Sequence, residues 1–230
     1  MYLKEKLENI KKLKIEHEKI DYLPNEIFKL TNLESLCMGY DNLEEIPKDI
    51  GKLINLKSLE IASYDVKTFP KEMFDLANLK KLNILCYGLE ELPDKISNLT
   101  KLEELTIRCW NLKKLPSEIG NLINLEIFKI SDNKKLKELP KEIGSLTKLK
   151  EFTIRCWNLK NLPKGIGNFT KLKELDINCI SLKEIPKEIA NLNNLKNFNL
   201  IWRKNINKLP KEILNLNKLK NIQINHYFDR

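Results

Sequence analysis

Histidine, the side chain used most often in general acid–base catalysis, is scarce in the sequence. Among its 230 residues are only two histidines, His17 and His226, and they lie near opposite ends of the chain. The sequence contains no GxxxxGK(S/T) phosphate-binding loop and no CxxC pair, patterns that are typical of nucleotide-binding enzymes and structural zinc sites. We therefore expect a protein without catalytic residues, a metal or a cofactor.

Long hydrophobic runs are also missing. No stretch of about 18 apolar residues occurs, so we expect no segment to insert into a membrane. The first six residues, MYLKEK, lack the apolar centre of a signal peptide. The expected location is therefore cytoplasmic, with export by a route that needs no signal peptide as the alternative.

Glycine is scarce, and no stretch is rich in glycine and serine, so the sequence offers no linker between domains. Hydrophobic residues make up 42% of the chain, enough for one sizeable core. The charge is uneven: residues 160–230 hold 14 Lys and Arg against 6 Asp and Glu, whereas residues 1–159 hold 27 against 26. The basic C-terminal third would attract an acidic partner, and the alternative is a lysine-rich solvated surface.

The nine prolines form a ladder that recurs about every 23 residues, with some steps one residue longer than the others. They are Pro24, Pro47, Pro70, Pro93, Pro116, Pro140, Pro163, Pro186 and Pro210. Apolar residues follow each proline at the third, sixth and ninth positions, such as Ile96, Leu99 and Leu102. A nearly fixed period of this length indicates a solenoid of stacked repeats.

Within each repeat the apolar period changes from three to two. The spacing of three after each proline predicts a short helical turn, with the proline expected at the first helical position. The alternation Leu102-x-x-Leu105-x-Ile107 that follows predicts a strand with one buried face. One repeat is therefore a strand, a turn, a short helix and a turn, and only stacking can bury its apolar stripe.

These spacings resemble the leucine-rich-repeat family, whose pattern is LxxLxLxx(N/C)xxLxxLPxxIxxL. The resemblance runs from Ile10 to Ile224, and the LPxxIxxL segment and the length of the repeat are similar to those of intracellular, plant resistance-receptor and bacterial members. It implies one domain over residues 1–230, with residues 1–9 as a cap-like N-terminal segment. The implied fold is an α/β solenoid, a horseshoe with about ten parallel strands on the concave face and short helices or 3-10 turns on the convex face. In this family ligands bind the concave face.

Two registers compete for the inward position after each strand, which the family fills with asparagine or cysteine. Counted forward from the strand leucine, the position holds bulky residues: Tyr64, Tyr87, Trp110, Trp157 and Ile180. Counted back from the following leucine, it holds small residues: Ser63, Cys86, Cys109, Asn133, Cys156 and Cys179. Tryptophan between stacked turns would overpack the core, so we place the small residues inside and expect their thiols to be reduced and slow to react. Cys37, at an outward strand position, is expected to react fastest.

This register places the aromatic side chains on one rim of the concave face. The predicted ligand-binding residues are Tyr64, Tyr87, Arg108, Trp110, Arg155 and Trp157. The segment TIRCWNL occurs at residues 106–112 and again at 153–159, and each copy puts an arginine two residues before a tryptophan. Both residue types are enriched at binding hot spots. Asn133 and Lys134 are expected to interrupt the stripe, and the alternative is that the aromatic residues only cover the edge of the core.

The outward strand positions are mostly neutral and polar, which favours protein recognition over a cationic nucleic-acid groove. We therefore predict a monomeric, non-enzymatic protein-binding module or scaffold that uses the concave face and the aromatic and arginine rim. One alternative is weak, salt-sensitive binding of an acidic polymer or nucleic acid by the basic C-terminal third. Another is a role as the recognition part of a larger receptor or effector.

Overall fold

The computed structural model of the protein describes residues 9–17, 24–40, 42–203 and 209–227, along which strands alternate with short 3-10 helices. The strands are β1 (Lys12–His17), β2 (Ser35–Tyr40), β3 (Ser58–Ser63), β4 (Lys81–Cys86), β5 (Glu104–Arg108), β6 (Ile127–Asn133), β7 (Glu151–Cys156), β8 (Glu174–Asn178), β9 (Asn197–Arg203) and β10 (Asn221–Tyr227). The 3-10 helices are η1 (Asn25–Lys29), η2 (Lys48–Lys52), η3 (Lys71–Asp75), η4 (Asp94–Asn98), η5 (Ser117–Asn121), η6 (Lys141–Ser145), η7 (Lys164–Asn168), η8 (Lys187–Asn191) and η9 (Lys211–Asn215). Of the predicted cap-like segment, only Asn9 lies within the described residues.

All ten strands belong to one sheet, in the order of the sequence, and every neighbouring pair is parallel. Equivalent residues of successive repeats lie side by side, so that Leu59 pairs with Leu82 and Leu82 pairs with Leu105. A nearly constant repeat length brings the same apolar residue to the same face of each strand. The predicted α/β solenoid with parallel strands and short 3-10 helices is confirmed.

Each proline lies one residue before its helix and not at the first helical position that the sequence suggested. Pro24 has φ −59° and ψ 128°, and Pro116 has φ −67° and ψ 151°, so both ψ angles are non-helical. The proline carbonyl accepts the first hydrogen bond of the helix, from the backbone N–H of Ile27 at 3.1 Å and of Ile119 at 3.2 Å. The ring fixes φ at a value that suits either position, so the sequence did not distinguish them.

The core lies between the sheet and the row of 3-10 helices and continues from repeat to repeat. In β3 burial alternates along the strand, and Leu59 and Ile61 are buried. In the central repeats three phenylalanines meet, with ring centroids 5.8 Å apart for Phe128 and Phe152 and 5.6 Å apart for Phe152 and Phe169. These rings join β6, β7 and the end of η7 into one apolar layer.

Successive 3-10 helices approach each other closely in the central repeats. A Cβ atom added to Gly120 in η5 would collide with the carbonyl oxygen and the Cβ atom of Glu142 in η6. Glycine is needed here for space and not for backbone freedom, because its φ is not positive. The helix side of these two repeats is therefore packed without a cleft between the turns.

Candidate functional site

The inward column after the strands decides which way the neighbouring bulky side chains point. It consists of the buried residues Ser63, Cys86, Cys109, Asn133, Cys156 and Cys179. The register chosen from side-chain size is therefore confirmed. Since successive residues of an extended chain point to opposite faces, the residue that follows each member of the column is directed outward.

Burial also sets the protonation state of the four cysteines in this column. It raises the pKa of Cys109 and that of Cys179 to about 12, and it raises the pKa of Cys86 and of Cys156 as well. None of the five cysteines forms a disulfide bond, and Cys37, on β2, is only half-buried. Because the thiolate is the reactive form of cysteine, slow reaction of the four buried thiols and faster reaction of Cys37 remain the expected behaviour.

Asn133 joins two neighbouring turns of the solenoid by hydrogen bonds. Its Nδ2 donates to the carbonyl oxygens of Cys109 and Leu112 at 2.6 and 3.0 Å. Its Oδ1 accepts from the backbone N–H groups of Lys135 and Leu136 at 3.0 and 2.6 Å. One buried side chain thus satisfies four backbone groups in the turns that follow β5 and β6.

The strand that leads to Asn133 contains an extra residue. The step from Pro116 to Pro140 is one residue longer than the step from Pro93 to Pro116, and the register between β6 and β7 shifts between Ile130 and Asn133. Asp132 in this bulge has a φ of 55°, a left-handed conformation that aspartate tolerates better than most residues. The bulge absorbs the extra residue and keeps Asn133 in the inward column.

Five of the six outward residues that follow the column form a row of contacting side chains, here called the rim: Tyr64, Tyr87, Trp110, Lys134 and Trp157. Tyr64 and Tyr87 stack, with ring centroids 4.9 Å apart and 9° between the ring planes. Tyr87 meets Trp110 edge-on at 5.1 Å. Despite these contacts Tyr64 is 55%, Trp110 43% and Trp157 52% exposed. The four predicted aromatic residues therefore lie on one exposed edge of the molecule.

Lys134 lies between the two tryptophans. Its Nζ is 3.8 Å from the ring centroid of Trp110 and 5.0 Å from that of Trp157, and both distances allow a cation–π contact. Its backbone N–H donates to the carbonyl oxygen of Trp110 at 3.2 Å, and its carbonyl oxygen accepts from Nδ2 of Asn158 at 2.6 Å. Of the two residues expected to interrupt the aromatic stripe, Asn133 is buried in the column and Lys134 lies in the row, where its ammonium group contacts the rings on either side.

The two predicted arginines are paired within the chain. Nε and Nη2 of Arg108 donate to Oδ2 of Asp132 at 2.9 and 2.8 Å. Nη2 of Arg155 donates to Oδ2 of Asp176 at 2.6 Å, and this hydrogen bond raises the pKa of Arg155. The four side chains come from β5 to β8 and alternate in sign across the sheet. Sequence reasoning missed both carboxylates, which lie 24 and 21 residues after their arginines.

These ion pairs border a broad hollow of about 1060 Å³ on the outward face of the sheet. Its lining includes Thr106 and Thr153, together with Lys129 and Glu151, which form an ion pair at 2.7 Å. The strand side is therefore concave in this region. Charges of both signs, hydroxyl groups and amides cover the hollow, and such a lining suits hydrogen bonding to another molecule.

Across residues 9–17, 24–40, 42–203 and 209–227, no group of three or more His, Cys, Asp and Glu side chains could hold a metal ion. His17 and His226 belong to β1 and β10, the two edges of the sheet, so they cannot act together. No helix in the described ranges is both long enough and apolar enough to cross a membrane.

Comparison with known proteins agrees with the repeat pattern and the sheet. A profile for the family described as leucine-rich repeat region matches residues 94–229, more than half of the chain. The chain belongs to the leucine-rich-repeat family. A search of curated proteins finds no match to it.

Solved structures of other leucine-rich-repeat proteins share the fold. A leucine-rich-repeat protein of Leptospira interrogans is 27% identical, with a TM-score of 0.66, and the match covers 96% of this chain and 69% of that one. The leucine-rich repeat domain of the type III effector XopL is 23% identical, with a TM-score of 0.71 and coverage of 96% and 79%. The plant peptide hormone receptor RGFR1, solved in complex with RGF2, is 24% identical with a TM-score of 0.60, and the match covers 94% of this chain but only 45% of the receptor. The last two likenesses show the fold alone.

Proposed function

We propose that this leucine-rich-repeat domain is a non-enzymatic protein-binding module whose contact surface is the rim together with Arg108 and Arg155. The observation that carries the proposal is the continuity of the rim. Side chains from five consecutive repeats touch one another, and three of the rings remain 43–55% exposed. Tyrosine, tryptophan and arginine supply most hot-spot energy in protein interfaces, and aromatic rings lose little conformational entropy on binding.

Exposure favours a contact role over the alternative that the rings only cover the core. A side chain that closes a core loses most of its own surface to the residues beneath it, whereas Trp110 and Trp157 keep 43% and 52% of theirs in water. An exposed apolar strip of this kind is characteristic of interaction surfaces. The likeness to RGFR1, which was solved with RGF2 bound, is in keeping with a polypeptide partner.

Arg108 and Arg155 would contact a partner while they remain paired with Asp132 and Asp176. Their side chains are 49% and 52% exposed. Each guanidinium has five N–H donors, so pairing with Asp132 or Asp176 leaves donors for a partner. Surface ion pairs contribute little stability, and a carbonyl or carboxylate of the partner can therefore share the guanidinium at small cost.

Replacing both tryptophans tests the proposal. We expect the Trp110→Ala/Trp157→Ala variant to bind its partner at least about thirtyfold more weakly, because truncating a hot-spot tryptophan costs about 2 kcal/mol or more. The partner is captured with the wild-type chain, identified by mass spectrometry, purified and titrated by calorimetry. The melting temperature should change little, since about half of each ring is already in water.

The matched control is Ile54→Ala/Ile123→Ala. Both isoleucines are exposed, at 58% and 55%, and lie in turns that precede strands. This variant should bind like the wild type. Full affinity in the tryptophan variant, combined with a large drop in its melting temperature, would mean that the rings serve the core and that the rim is not the contact surface.

A second set of equivalent residues, those just before the strands, is rich in lysine and is here called the lysine column. It favours a second candidate function, binding of an acidic polymer. The residue just before each strand hydrogen-bonds to its equivalent in the preceding repeat, as in the 2.8 Å bond from the N–H of Lys173 to the carbonyl oxygen of Lys150. Earlier in this column lysine is paired with glutamate, for example Lys57 with Glu34 at 2.6 Å. The last three positions hold Lys173, Lys196 and Lys220, all exposed and without an ion pair among the described residues. Neighbouring backbones are about 4.8 Å apart, so these cations form a short line.

Salt dependence distinguishes this candidate from protein binding. With three phosphate contacts, affinity for inorganic polyphosphate should fall by about twenty- to fortyfold between roughly 50 and 200 mM salt. Binding should be abolished in the triple variant Lys173→Gln/Lys196→Gln/Lys220→Gln. It should persist in the control Lys11→Gln/Lys57→Gln/Lys80→Gln, which removes the same charge from the part of the lysine column that is paired with glutamate. Binding that survives high salt, or that both triple variants weaken equally, would rule the candidate out.

A further inference from the structure

Among the three cations of the proposed contact surface, Lys134 differs in having no counter-ion in the part of the chain that the structure describes. Arg108 and Arg155 are paired with Asp132 and Asp176, whereas Lys134 forms no ion pair with any carboxylate in the described ranges. The contacts of its ammonium group are with the rings of Trp110 and Trp157. The centre of the proposed contact surface therefore carries one positive charge that no described carboxylate neutralises.

The Lys134 side chain is also held in place. It is half-buried, its backbone is bonded to Trp110 on one side and to Asn158 on the other, and its Nζ lies against two ring faces. Moving the ammonium group out to solvent would break its cation–π contacts with both tryptophan rings. The charge is therefore presented at a fixed point between two apolar surfaces.

A partner that covers Trp110 and Trp157 must cover this ammonium as well. Burying an unpaired ammonium group is strongly unfavourable, and ring contacts replace only part of its lost hydration. A neutral apolar partner would leave the charge unpaired, and a basic partner would repel it. Asp132 and Asp176 already neutralise the arginines, and no other carboxylate of the described residues pairs with Lys134, so the partner is the expected source of the compensating carboxylate.

We infer that the partner is an acidic, apolar peptide segment, an inference that rests on the function proposed above. A carboxylate of the segment, from Asp, Glu or a chain terminus, accepts hydrogen bonds from Nζ of Lys134. An apolar or aromatic side chain next to that carboxylate packs on the exposed ring of Trp110 or Trp157. The stacked rings of Tyr64, which is exposed, and Tyr87, which is half-buried, extend the apolar part of the surface along the rim.

Selection from a random peptide display library tests this chemistry with the full chain. Wild-type protein should enrich sequences in which Asp or Glu neighbours Phe, Leu or Trp. The strongest selected peptide is then synthesised and titrated by fluorescence anisotropy. Lys134→Met, which keeps the length and apolar character of the side chain, should weaken binding at least about tenfold, while Lys134→Arg should stay within about threefold of the wild type because it keeps the charge.

Two controls separate the charge contact from a general loss of structure. Lys135→Met removes an exposed neighbouring charge and should leave the affinity unchanged. A peptide in which the acid is replaced by its amide should bind the wild type at least about tenfold more weakly than the acidic peptide does. The two peptides should bind Lys134→Met with equal affinity, since removing either partner deletes the same interaction.

The outcomes distinguish the inference from the proposed function. Selected peptides that lack acids, or that bind Lys134→Met as tightly as the wild type, overturn the inference, and the proposed function survives if Trp110→Ala/Trp157→Ala still abolishes their binding. Peptides that are indifferent to both the lysine and the tryptophan substitutions overturn both ideas. A library from which the wild-type chain selects no sequence also overturns both.

Discussion

Replacing Asn133 with alanine is expected to lower the free energy of unfolding by about 3–5 kcal/mol. The asparagine is fully buried and bonds to four backbone groups: the carbonyl groups of Cys109 and Leu112, and the N–H groups of Lys135 and Leu136. Alanine offers neither a donor nor an acceptor, and its methyl group leaves these groups without a protein partner. Urea denaturation followed by circular dichroism measures the loss.

Asn55→Ala provides the matched control. Asn55 also bridges neighbouring repeats, through a 2.9 Å hydrogen bond from its Nδ2 to the carbonyl oxygen of Thr31, but it does so in an exposed position. Water can replace that bond, so the loss should stay below about 1 kcal/mol. Equal losses in the two variants would show that water enters the Asn133 site and satisfies the backbone there, contrary to the expectation.

Replacing Phe152 with alanine should also lower the free energy of unfolding by about 3–5 kcal/mol. The phenylalanine is 1% exposed and contacts the rings of Phe128 and Phe169. Each repeat of a solenoid is stabilised mainly by its neighbours. A cavity in the centre therefore weakens the packing of β7 against both the preceding strand and the helix that follows.

Ile123→Ala is the control for this cavity. Ile123 is 55% exposed, so its truncation should change the free energy of unfolding by no more than about 0.5 kcal/mol. The same urea titrations measure both variants. A loss below about 1 kcal/mol for Phe152→Ala would mean that Phe128 and Phe169 close the cavity by moving together.

The fold could be predicted because the evidence for it is repeated in every turn of the chain. The apolar spacing after each proline specifies a stripe, and the nearly constant step from one proline to the next specifies the stacking of equivalent stripes. Each proline was predicted at the first helical position, but it lies one residue before the helix. The fixed φ of proline is compatible with both positions, and only ψ, which the sequence does not show, separates the two.

The candidate site could be predicted in part. Side-chain size placed the cysteines and Asn133 in the inward column, and this placement implied that Trp110 and Trp157 face outward. The sequence places a non-aromatic residue, Lys134, between the two tryptophans, but it does not show that the ammonium group contacts both rings. That contact depends on the side-chain conformation of Lys134 and on the left-handed backbone of Asp132 in the bulge, and the number of residues specifies neither.

The sequence by itself determined the repeat, the parallel register and the division between the inward column and the outward rim, because each of these depends on local spacing that recurs along the chain. Only the tertiary structure decided which charges of the proposed contact surface are neutralised. Arg108 and Arg155 pair with Asp132 and Asp176 on adjacent strands, while the ammonium group of Lys134 contacts two rings and pairs with none of the carboxylates that the structure describes. Ion pairs and ring contacts depend on distances of a few ångströms between side chains of different repeats, and one extra residue in β6 is enough to change them.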